Sequence, residues 1–271
     1  MDRRRARPRE GARERERRAR APLNPADLTV VLLTQDEAAR LPGTLDALPA
    51  GVRVFVLDAG SSDQTVQLAG ACGAYVERRP WSGFVEARRY ALGRVMTPWT
   101  LMLDADERLD ATLRDAILAA DGTHVAGYRL QRVTLLCGAP IRAAGWSNER
   151  LVRLFRTDRA RLVPHESGGD VHERWVVDGS IGDLPGTIVH DSYPTLDSYR
   201  AKFDRYTSLE AGALTPSRGA YLRALVTFPL RFLWLLLREG GWRDGWRGAF
   251  VAWQSARYRV VVRAKALRRA A

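Results

Sequence analysis

The sequence has few cysteines and no uninterrupted apolar run long enough to cross a membrane, and each shortage excludes a class of protein. Two cysteines, Cys72 and Cys137, among 271 residues exclude a small domain that several disulfides hold together. The apolar stretch 221–237 is shorter than the roughly 20 apolar residues of a spanning helix, and Pro229 and Arg231 interrupt it. We therefore expect no helix that spans a membrane.

Basic residues outnumber acidic residues at both ends of the chain. Residues 1–20 carry a net charge of +6 and residues 216–271 carry +10, which leaves −4 for the middle of a chain whose total is +12. The segment 1–24 lacks the apolar region of a secretory signal, and its charge predicts a disordered basic tail. Such ends suit an anionic lipid or nucleic-acid surface, whereas the acidic middle argues against specific binding of nucleic acid.

Short β-branched apolar runs alternate with helical patterns through the first 110 residues. An apolar run without polar alternation is typical of a strand that is buried on both faces of a parallel sheet. Strands are predicted at 28–34, 52–58, 74–77 and 99–107, and helices at 36–48, 62–72 and 83–95. Alternation of strands and helices with short loops predicts an α/β fold with a mainly parallel sheet.

Polar side chains stand at the carboxyl ends of three of these strands. Thr34 and Asp58 end the first two, and Asp104 and Asp106 follow the apolar part of the fourth. Open α/β sheets bind ligands beyond these strand ends, and two carboxylates one residue apart offer hard oxygen ligands to Mg²⁺ or Mn²⁺. The pattern predicts a site where a divalent cation neutralises a diphosphate. A solvated turn that holds the same acids is the alternative.

The predicted secondary structure changes in the C-terminal part. Residues 125–190 predict mixed or antiparallel strands, and residues 195–214 predict a helix. Residues 242–269 predict a basic amphipathic helix whose apolar side holds Trp246, Phe250, Trp253, Val260, Ala264 and Leu267. Aromatic residues on one face and arginines on the other are typical of a helix at a membrane interface. A helix that packs on the α/β domain and leaves a basic face in water is the alternative.

Four segments of the α/β region resemble the N-terminal motifs of family 2 glycosyltransferases. They are TVVLLTQDEAARLPGTLDAL at 29–48, VFVLDAGSSDQT at 54–65, WSGFVEARRYAL at 81–92 and WTLMLDADERL at 99–109. Later segments are similar to the bacterial lipopolysaccharide-core β-glucosyltransferase subgroup, namely RLVRLFR at 150–156, VHERW at 171–175, IVHDSY at 188–193 and GGWRDGWRGAF at 240–250. The resemblance covers residues 28–255 in collinear order.

The resemblance implies a GT-A fold, which is a Rossmann-like, mixed and mainly parallel sheet, followed here by a basic helical extension. It also implies a nucleotide-sugar donor, a divalent metal ion and inversion at the anomeric carbon. At the matching positions, Thr34 and Glu37 would line the nucleotide pocket and Asp58 would accept a hydrogen bond from a uracil base. Arg88 would approach the donor diphosphate or the base, and Asp104 would contact the ribose or the metal.

The resemblance also implies metal ligands and a catalytic base. Asp106 would bind the metal directly with Asp104, and His190 would complete the metal shell unless it is a structural histidine. Glu173 would be the general base that deprotonates the acceptor hydroxyl, and His172 would position the acceptor or a phosphate. An exposed ion pair at Glu173 beside a core histidine at His172 is the alternative.

These implications divide the chain into a basic tail at 1–24, a glycosyltransferase domain at 25–215 and a membrane-associating helical extension at 216–271. The domain would have a donor half at 28–110 and an acceptor half at 125–215. The expected activity is transfer of a hexose, glucose, from a UDP-sugar to a lipid-linked or envelope glycan such as lipopolysaccharide core, at the cytoplasmic face of the cell membrane. Alternatives are a polyprenyl phosphate acceptor, a non-catalytic nucleotide- or glycan-binding scaffold, and a nucleic-acid-binding protein.

Overall fold

The computed structural model describes residues 22–146, 149–164 and 173–269, which fall into two compact units. The first unit comprises residues 22–130, 151–164 and 173–187, and the second comprises residues 131–146, 149–150 and 188–269. The predicted tail lies outside the described residues as far as residue 21, whereas Leu23 is already buried and Pro22 pairs with Asp121. The boundary drawn from the sequence between residues 215 and 216 lies inside the second unit.

The secondary structure follows the predicted alternation closely. The strands are β1 Leu28–Thr34, β2 Arg53–Asp58, β3 Tyr75–Arg78, β4 Trp99–Asp104, β5 Glu107–Leu109, β6 Gly127–Leu136, β7 Ala139–Pro140, β8 Glu149–Arg156, β9 Ala160–Pro164, β10 Glu173–Val177 and β11 Ile181–Tyr193. The helices are α1 Leu41–Asp46, α2 Thr65–Ala71, α3 Phe84–Arg94, α4 Ala111–Leu118, α5 Leu196–Ala213, α6 Arg218–Leu233 and α7 Gly245–Arg269. A π-helical turn, Trp234–Arg238, continues α6.

The first four strands form a parallel sheet. β1 pairs in parallel with β2 on one side and with β4 on the other, and β3 pairs in parallel with β2. β8 then pairs antiparallel to β4, and the full strand order is β3-β2-β1-β4-β8-β6-β11-β5, with β7 beside β6. β9 and β10 form a separate antiparallel ribbon. The predicted α/β class, with a mixed and mainly parallel sheet and a helical C-terminal part, is confirmed.

The register brings the polar strand ends side by side. Thr34 lies opposite Asp58, and Leu33 lies opposite Asp104. Six of the seven residues of β1 are buried, because its apolar side chains face protein on both sides of the sheet. The strand interiors therefore hold the apolar core, and the polar side chains at the carboxyl ends are left together at one edge.

An apolar cluster in the first unit joins neighbouring strands of this sheet to a helix. Val31 and Met102 on adjacent strands share a cluster with Ala87 of α3 and with Phe155 of β8. Trp175 of β10 packs against Phe155 with ring centroids 4.7 Å apart. The ribbon of β9 and β10 is therefore anchored to the sheet by aromatic packing.

Three helices dominate the second unit. Tyr199 of α5 contacts Phe250 of α7 edge to face at 5.0 Å, and Ala211 of α5 packs with Val262 and Ala266 of α7. The last helix packs mainly through residues outside its predicted apolar side. Its most buried residues are Gly248, Val251, Ala252, Gln254, Ala256, Val262 and Ala266, whereas Trp246 and Trp253 are exposed. The buried side is a narrow stripe made largely of small residues, which suits close helix packing.

Two sequence-based element boundaries are also wrong, each for a local reason. The helix predicted from residue 36 begins at Leu41, because Asp36 has a φ of 55° and its loop turns first. The strand predicted at 99–107 ends at Asp104, where a turn leads into β5. Pro229 does not end the helix that contains it. Arg218–Arg238 consequently forms one 21-residue helix that is long and apolar enough to cross a membrane by length and composition.

The start of α7 contains a backbone approach that only glycine fits. A Cβ atom built on Gly248 would lie 1.9 Å from the carbonyl oxygen of Gly241. We expect Gly248→Ala to lower the free energy of unfolding by about 1–3 kcal/mol, the usual cost of overpacking. Gly219→Ala in α6 is the control, because nothing lies within 4 Å of a Cβ atom there, and it should be neutral or stabilising by up to about 1 kcal/mol. Denaturant unfolding of both variants measures the difference, and equal stabilities would contradict the packing argument.

Candidate active site

Asp58 at the end of β2 is fully buried and accepts hydrogen bonds from four donors. Its Oδ1 accepts from the hydroxyls of Thr34, at 3.0 Å, and Ser61. Its Oδ2 accepts from the backbone N–H groups of Gly60 and Ser61, at 3.0 and 2.9 Å, and lies 3.8 Å from Nε of Arg78. A buried carboxylate is costly unless it is paired in this way. The structure thus brings Thr34 and Asp58 together, and Asp58 orders the turn that follows β2.

The loops after β1 and β2 are joined by short polar side chains. The carboxylate of Asp36 accepts from the backbone N–H and the hydroxyl of Ser62, at 2.8 and 3.0 Å. Asp63 accepts from the backbone N–H of Ala38 at 3.0 Å and from both the N–H and the hydroxyl of Thr65. The hydroxyl of Thr65 is the main cause that lowers the pKa of Asp63 below its usual value, although partial desolvation opposes it. These contacts give Asp63 a structural role in holding the two loops together.

Asp104 at the end of β4 lies between two buried arginines. Its Oδ1 accepts from Nη2 of Arg88 at 2.6 Å, and its Oδ2 lies 3.3 Å from Nη2 of Arg153. The same Arg153 nitrogen lies 3.4 Å from Oε1 of Glu107, which is fully buried. Oε2 of Glu107 accepts from the backbone N–H of Asp104 at 3.0 Å. Two carboxylates and two guanidiniums therefore form one buried network, which fixes the orientation of Asp104.

Asp106 and Glu37 share a third arginine. Glu37 forms two hydrogen bonds of 2.7 Å with Arg40, and Nη1 of Arg40 lies 3.7 Å from Oδ2 of Asp106. The backbone N–H of Glu37 donates to the hydroxyl of Thr65 at 2.8 Å. The loop after β1 therefore presents an arginine to the turn that carries Asp106. The structure brings together Glu37 and Asp106, two residues that the sequence analysis assigned to separate parts of the site.

The donor set suits a hard cation that arrives with further oxygen ligands. Asp104 and Asp106 are carboxylates on one turn, and Mg²⁺ is commonly held by one or two carboxylates together with substrate phosphates. Throughout the residues that the structure describes, no three His, Cys, Asp or Glu side chains form a group that could hold a metal ion. His190, on β11, belongs to the second unit, and its assignment as a metal ligand stays a prediction.

The predicted catalytic base lies at the edge of the described chain. Glu173 begins β10, and its backbone pairs with Pro164 of β9 in an antiparallel register. His172 lies outside the described residues. The roles predicted for Glu173 and His172 therefore stay predictions.

A small pocket opens to solvent at the carboxyl ends of β1 and β2. It is lined by Leu33, Leu57, Ala59, Arg79, Pro80, Trp81, Ser82 and Ala87. Three lining residues immediately precede Thr34, Asp58 and Arg88 in the sequence. The residues predicted from the sequence therefore neighbour the pocket wall in the chain, and none of them is among the lining residues.

Sequence reasoning missed four residues of this edge. Arg153 and Glu107 complete the buried network of Asp104, Arg40 contacts Asp106, and Trp81 lines the pocket with its ring 4.7 Å from that of Phe84. Arg153 lies in the segment RLVRLFR, where one arginine interrupts an apolar strand. A charged residue inside a strand that is otherwise buried is the signal that indicates an internal ion pair.

Comparison with known proteins identifies the family of the segment that carries this site. The glycosyl transferase family 2 profile matches residues 29–134, the segment that contains β1 to β5 and the acids at their ends. The chain carries a family 2 glycosyltransferase domain. The resemblance seen in the sequence motifs is confirmed, and the glycosyltransferase domain includes Thr34, Asp58, Asp104 and Asp106.

Individual relatives are similar to this chain beyond residues 29–134. The lipopolysaccharide core biosynthesis glycosyltransferase LpsC of Rhizobium meliloti is 28% identical over 255 residues, which cover 89% of this chain and 92% of that protein. The uncharacterised glycosyltransferase RT0209 of Rickettsia typhi is 33% identical over 68% of this chain and 66% of its own. The matches to two other Rickettsia relatives cover only 32% and 31% of the length of those proteins.

A solved structure similar to the glycosyltransferase chain is the mannosyltransferase PcManGT from Pyrobaculum calidifontis, determined with GDP-Man and Mn²⁺. It is 15% identical to this chain, covers 96% of it and 81% of its own chain, and superimposes with a TM-score of 0.44.

The buried network around Arg153 gives a stability prediction. We expect Arg153→Met to lower the free energy of unfolding by about 3–5 kcal/mol, because it leaves the buried Glu107 without its cation. Arg129→Met is the control, since Arg129 pairs with Asp183 on the surface, where such a pair contributes about 0–1 kcal/mol. Denaturant unfolding measures both losses.

A second substitution separates the lost charge pair from lost packing. Adding Glu107→Gln to Arg153→Met removes the uncompensated carboxylate, and it should restore part of the stability. Equal small losses for the Arg153 and Arg129 variants would show that the network contributes nothing beyond a surface pair.

Proposed function

We propose that this chain is an inverting, metal-dependent hexosyltransferase that moves glucose from a UDP-sugar to a lipid-linked or envelope glycan, such as lipopolysaccharide core. One observation carries the proposal. Asp104 and Asp106 lie inside the family 2 domain, at the carboxyl end of β4, and three arginines surround them at the same sheet edge as the pocket. Paired acids among arginines suit a diphosphate that carries a cation.

The pocket is the proposed site of the nucleoside. Its wall supplies the indole of Trp81 and the apolar side chains of Leu33 and Leu57, which suit the flat face of a base. Thr34 and Asp58 hold the turn that forms one side, and Asp58 is the proposed acceptor for an N–H of uracil. UDP and glucose rest on the motif resemblance.

The arginines and acids have separate proposed roles at the diphosphate. Arg88 and Arg153 hold the carboxylate of Asp104 in one orientation, so that it faces the metal or the ribose hydroxyls without reorganisation. Asp106 is the proposed direct metal ligand, with Asp104 as a further ligand. A bound Mg²⁺ or Mn²⁺ would neutralise the charge that develops on the departing diphosphate. Arg40, between Glu37 and Asp106, is placed to bind a phosphate oxygen.

Glu173 is the proposed general base. Its carboxylate takes the proton of the acceptor hydroxyl as that oxygen attacks the anomeric carbon from the side opposite the diphosphate. One displacement of this kind inverts the configuration of that carbon. His172 is the proposed positioning residue for the acceptor or a phosphate.

The acceptor and the location come from similarity and charge. The Rhizobium meliloti relative LpsC, a lipopolysaccharide core biosynthesis glycosyltransferase that matches 89% of this chain, supports a lipopolysaccharide core acceptor. Such acceptors are built on lipid, and the basic segment 216–271 suits an anionic membrane surface. We place the enzyme at the inner face of the cell membrane as a peripheral protein.

Asp106→Ala tests the metal site. We expect the variant to lose transfer by about a hundredfold or more, since a metal ion contributes several kcal/mol to transition-state stabilisation. In calorimetric titration with a panel of nucleoside diphosphates, the wild type should bind one of them more tightly with Mn²⁺, and the variant should lose that increment. Asp115→Ala, which removes an exposed acid of α4, should behave as the wild type.

Two results of this experiment would contradict the proposal. Transfer at nearly the wild-type rate by Asp106→Ala in Mn²⁺ would remove the metal assignment. Absence of binding to every nucleotide would remove the donor half, and nucleotide binding without transfer to any glycan or polyprenyl phosphate would indicate a non-catalytic scaffold.

Glu173→Gln tests the base. Removing the proton acceptor should lower the transfer rate by about 10²–10⁴-fold, whereas donor binding measured by calorimetry should change less than twofold. Asp178→Asn is the control, because it neutralises an exposed acid just after the same strand, β10. Weakened donor binding with transfer intact would exclude Glu173 as the base.

A further inference from the structure

Helix α6 and the π-helical turn after it present an apolar stripe to solvent. Its members recur at helical spacing and are between 47% and 73% exposed. They are Leu222, Val226, Leu230, Leu233 and Leu237, which we call the α6 stripe. At a rise of 1.5 Å per residue the stripe is about 22 Å long. A continuous exposed apolar surface of this kind marks an interaction site.

The opposite face of α6 is already occupied. Phe228 and Phe232 pack edge to face on Trp253 of α7, at 4.7 and 5.5 Å between ring centroids, and Ala224 is buried. The orientation of α6 within its unit is therefore fixed by aromatic packing, and the stripe faces away from α7.

The charge around the stripe has one sign. Residues 218–238 contain four arginines and no acid. Arg218, Arg223 and Arg238 are exposed, whereas Arg231 is partly buried, and burial and the nearby Arg259 lower its pKa. An apolar strip beside cations complements a surface that has acyl chains below and anionic headgroups above.

Exposed tryptophans extend this pattern. Trp234 begins the π-helical turn, between Leu233 and Leu237 of the stripe in the sequence, and it is 55% exposed. Trp242 and Trp246 come just after that turn, with the guanidiniums of Arg243 and Arg247 over their rings at 5.5 and 4.7 Å. Indole rings beside cations are typical of the headgroup level of a bilayer.

We propose that the α6 stripe docks in the plane of an anionic lipid surface, with the leucines among the upper acyl chains and the arginines at the headgroups. A second copy of this chain is a poor occupant of the stripe, because two copies that each have three exposed arginines on this helix repel one another. The proposal rests on the proposed peripheral membrane location and deepens it, since it names the surface within segment 216–271 that meets the lipid.

The docked orientation is in-plane, although 218–238 has the length and composition of a span. Because α6 packs on α7, the two helices would enter a membrane together. Helix α7 carries the exposed Arg257 and Arg259. A spanning position would place these arginines at the depth of the acyl chains, at high cost. An in-plane helix leaves them in water.

Sedimentation of the full-length protein with preformed vesicles tests the docking surface. The vesicles contain phosphatidylglycerol and phosphatidylcholine in equal amounts, with pure phosphatidylcholine as the uncharged reference. The wild type should bind the anionic vesicles at least tenfold more strongly than the uncharged ones. The double variant Val226→Glu with Leu230→Glu should lose at least tenfold in partition to the anionic vesicles.

The control replaces equally exposed apolar residues elsewhere. Met96→Glu with Leu209→Glu adds the same charge at two exposed sites outside α6, and its partition should stay within twofold of the wild type. A second variant, Arg223→Gln with Arg238→Gln, keeps the stripe and should lose most of the preference for phosphatidylglycerol. Circular dichroism and the unfolding midpoint should be unchanged in all three proteins.

Four outcomes would overturn the proposal. They are equal binding by the stripe variant and its control, equal binding of the wild type to both vesicles, dimers in light scattering that the stripe variant dissociates, and bound protein that fails to exchange to fresh vesicles. The third would assign the stripe to a second copy of the chain, and the fourth would indicate a spanning helix. Loss of transfer activity would leave the vesicle result unaffected, so the two proposals fail separately.

Discussion

Neutralisation of buried carboxylates by groups brought from other strands and helices is the interaction on which the site depends. Glu107 has no contact with solvent, and Arg153, which reaches it from β8, also reaches Asp104. The antiparallel pairing of β8 with β4 makes this possible, because it runs the later strand back along the acidic edge. Removal of Arg153 would take a cation from two carboxylates at once, so the sheet order and the ion network support each other.

The positions of the acids follow from the sequence because each follows an apolar run. β1, β2 and β4 are uninterrupted apolar segments, which predicts parallel burial, and parallel strands end at one edge. Thr34, Asp58 and Asp104 were therefore placed together without knowledge of their contacts. The motif resemblance added Glu37 and Arg88, and the structure places both in ion pairs at that edge.

Other features could not be predicted because their causes are distant in the sequence. Arg153 is 49 residues from Asp104, and no local pattern indicates which acid an internal arginine will meet. The side of α7 that packs on its neighbours was not predicted, because small residues such as Gly248 and Ala252, which allow a close approach, do not stand out in the sequence. Helix α6 passes through Pro229 because packing on α7 outweighs the local loss of a backbone hydrogen bond.

The loops after β1 and β2 have a thermodynamic consequence for any ligand at this edge. Asp36, Ser62, Asp63 and Thr65 hold them with side chains that have only one or two rotatable bonds. Such side chains lose little conformational entropy when they become ordered, and here that loss occurs during folding. A ligand that binds beside these loops meets a surface that is already ordered, so more of its contact free energy remains as affinity.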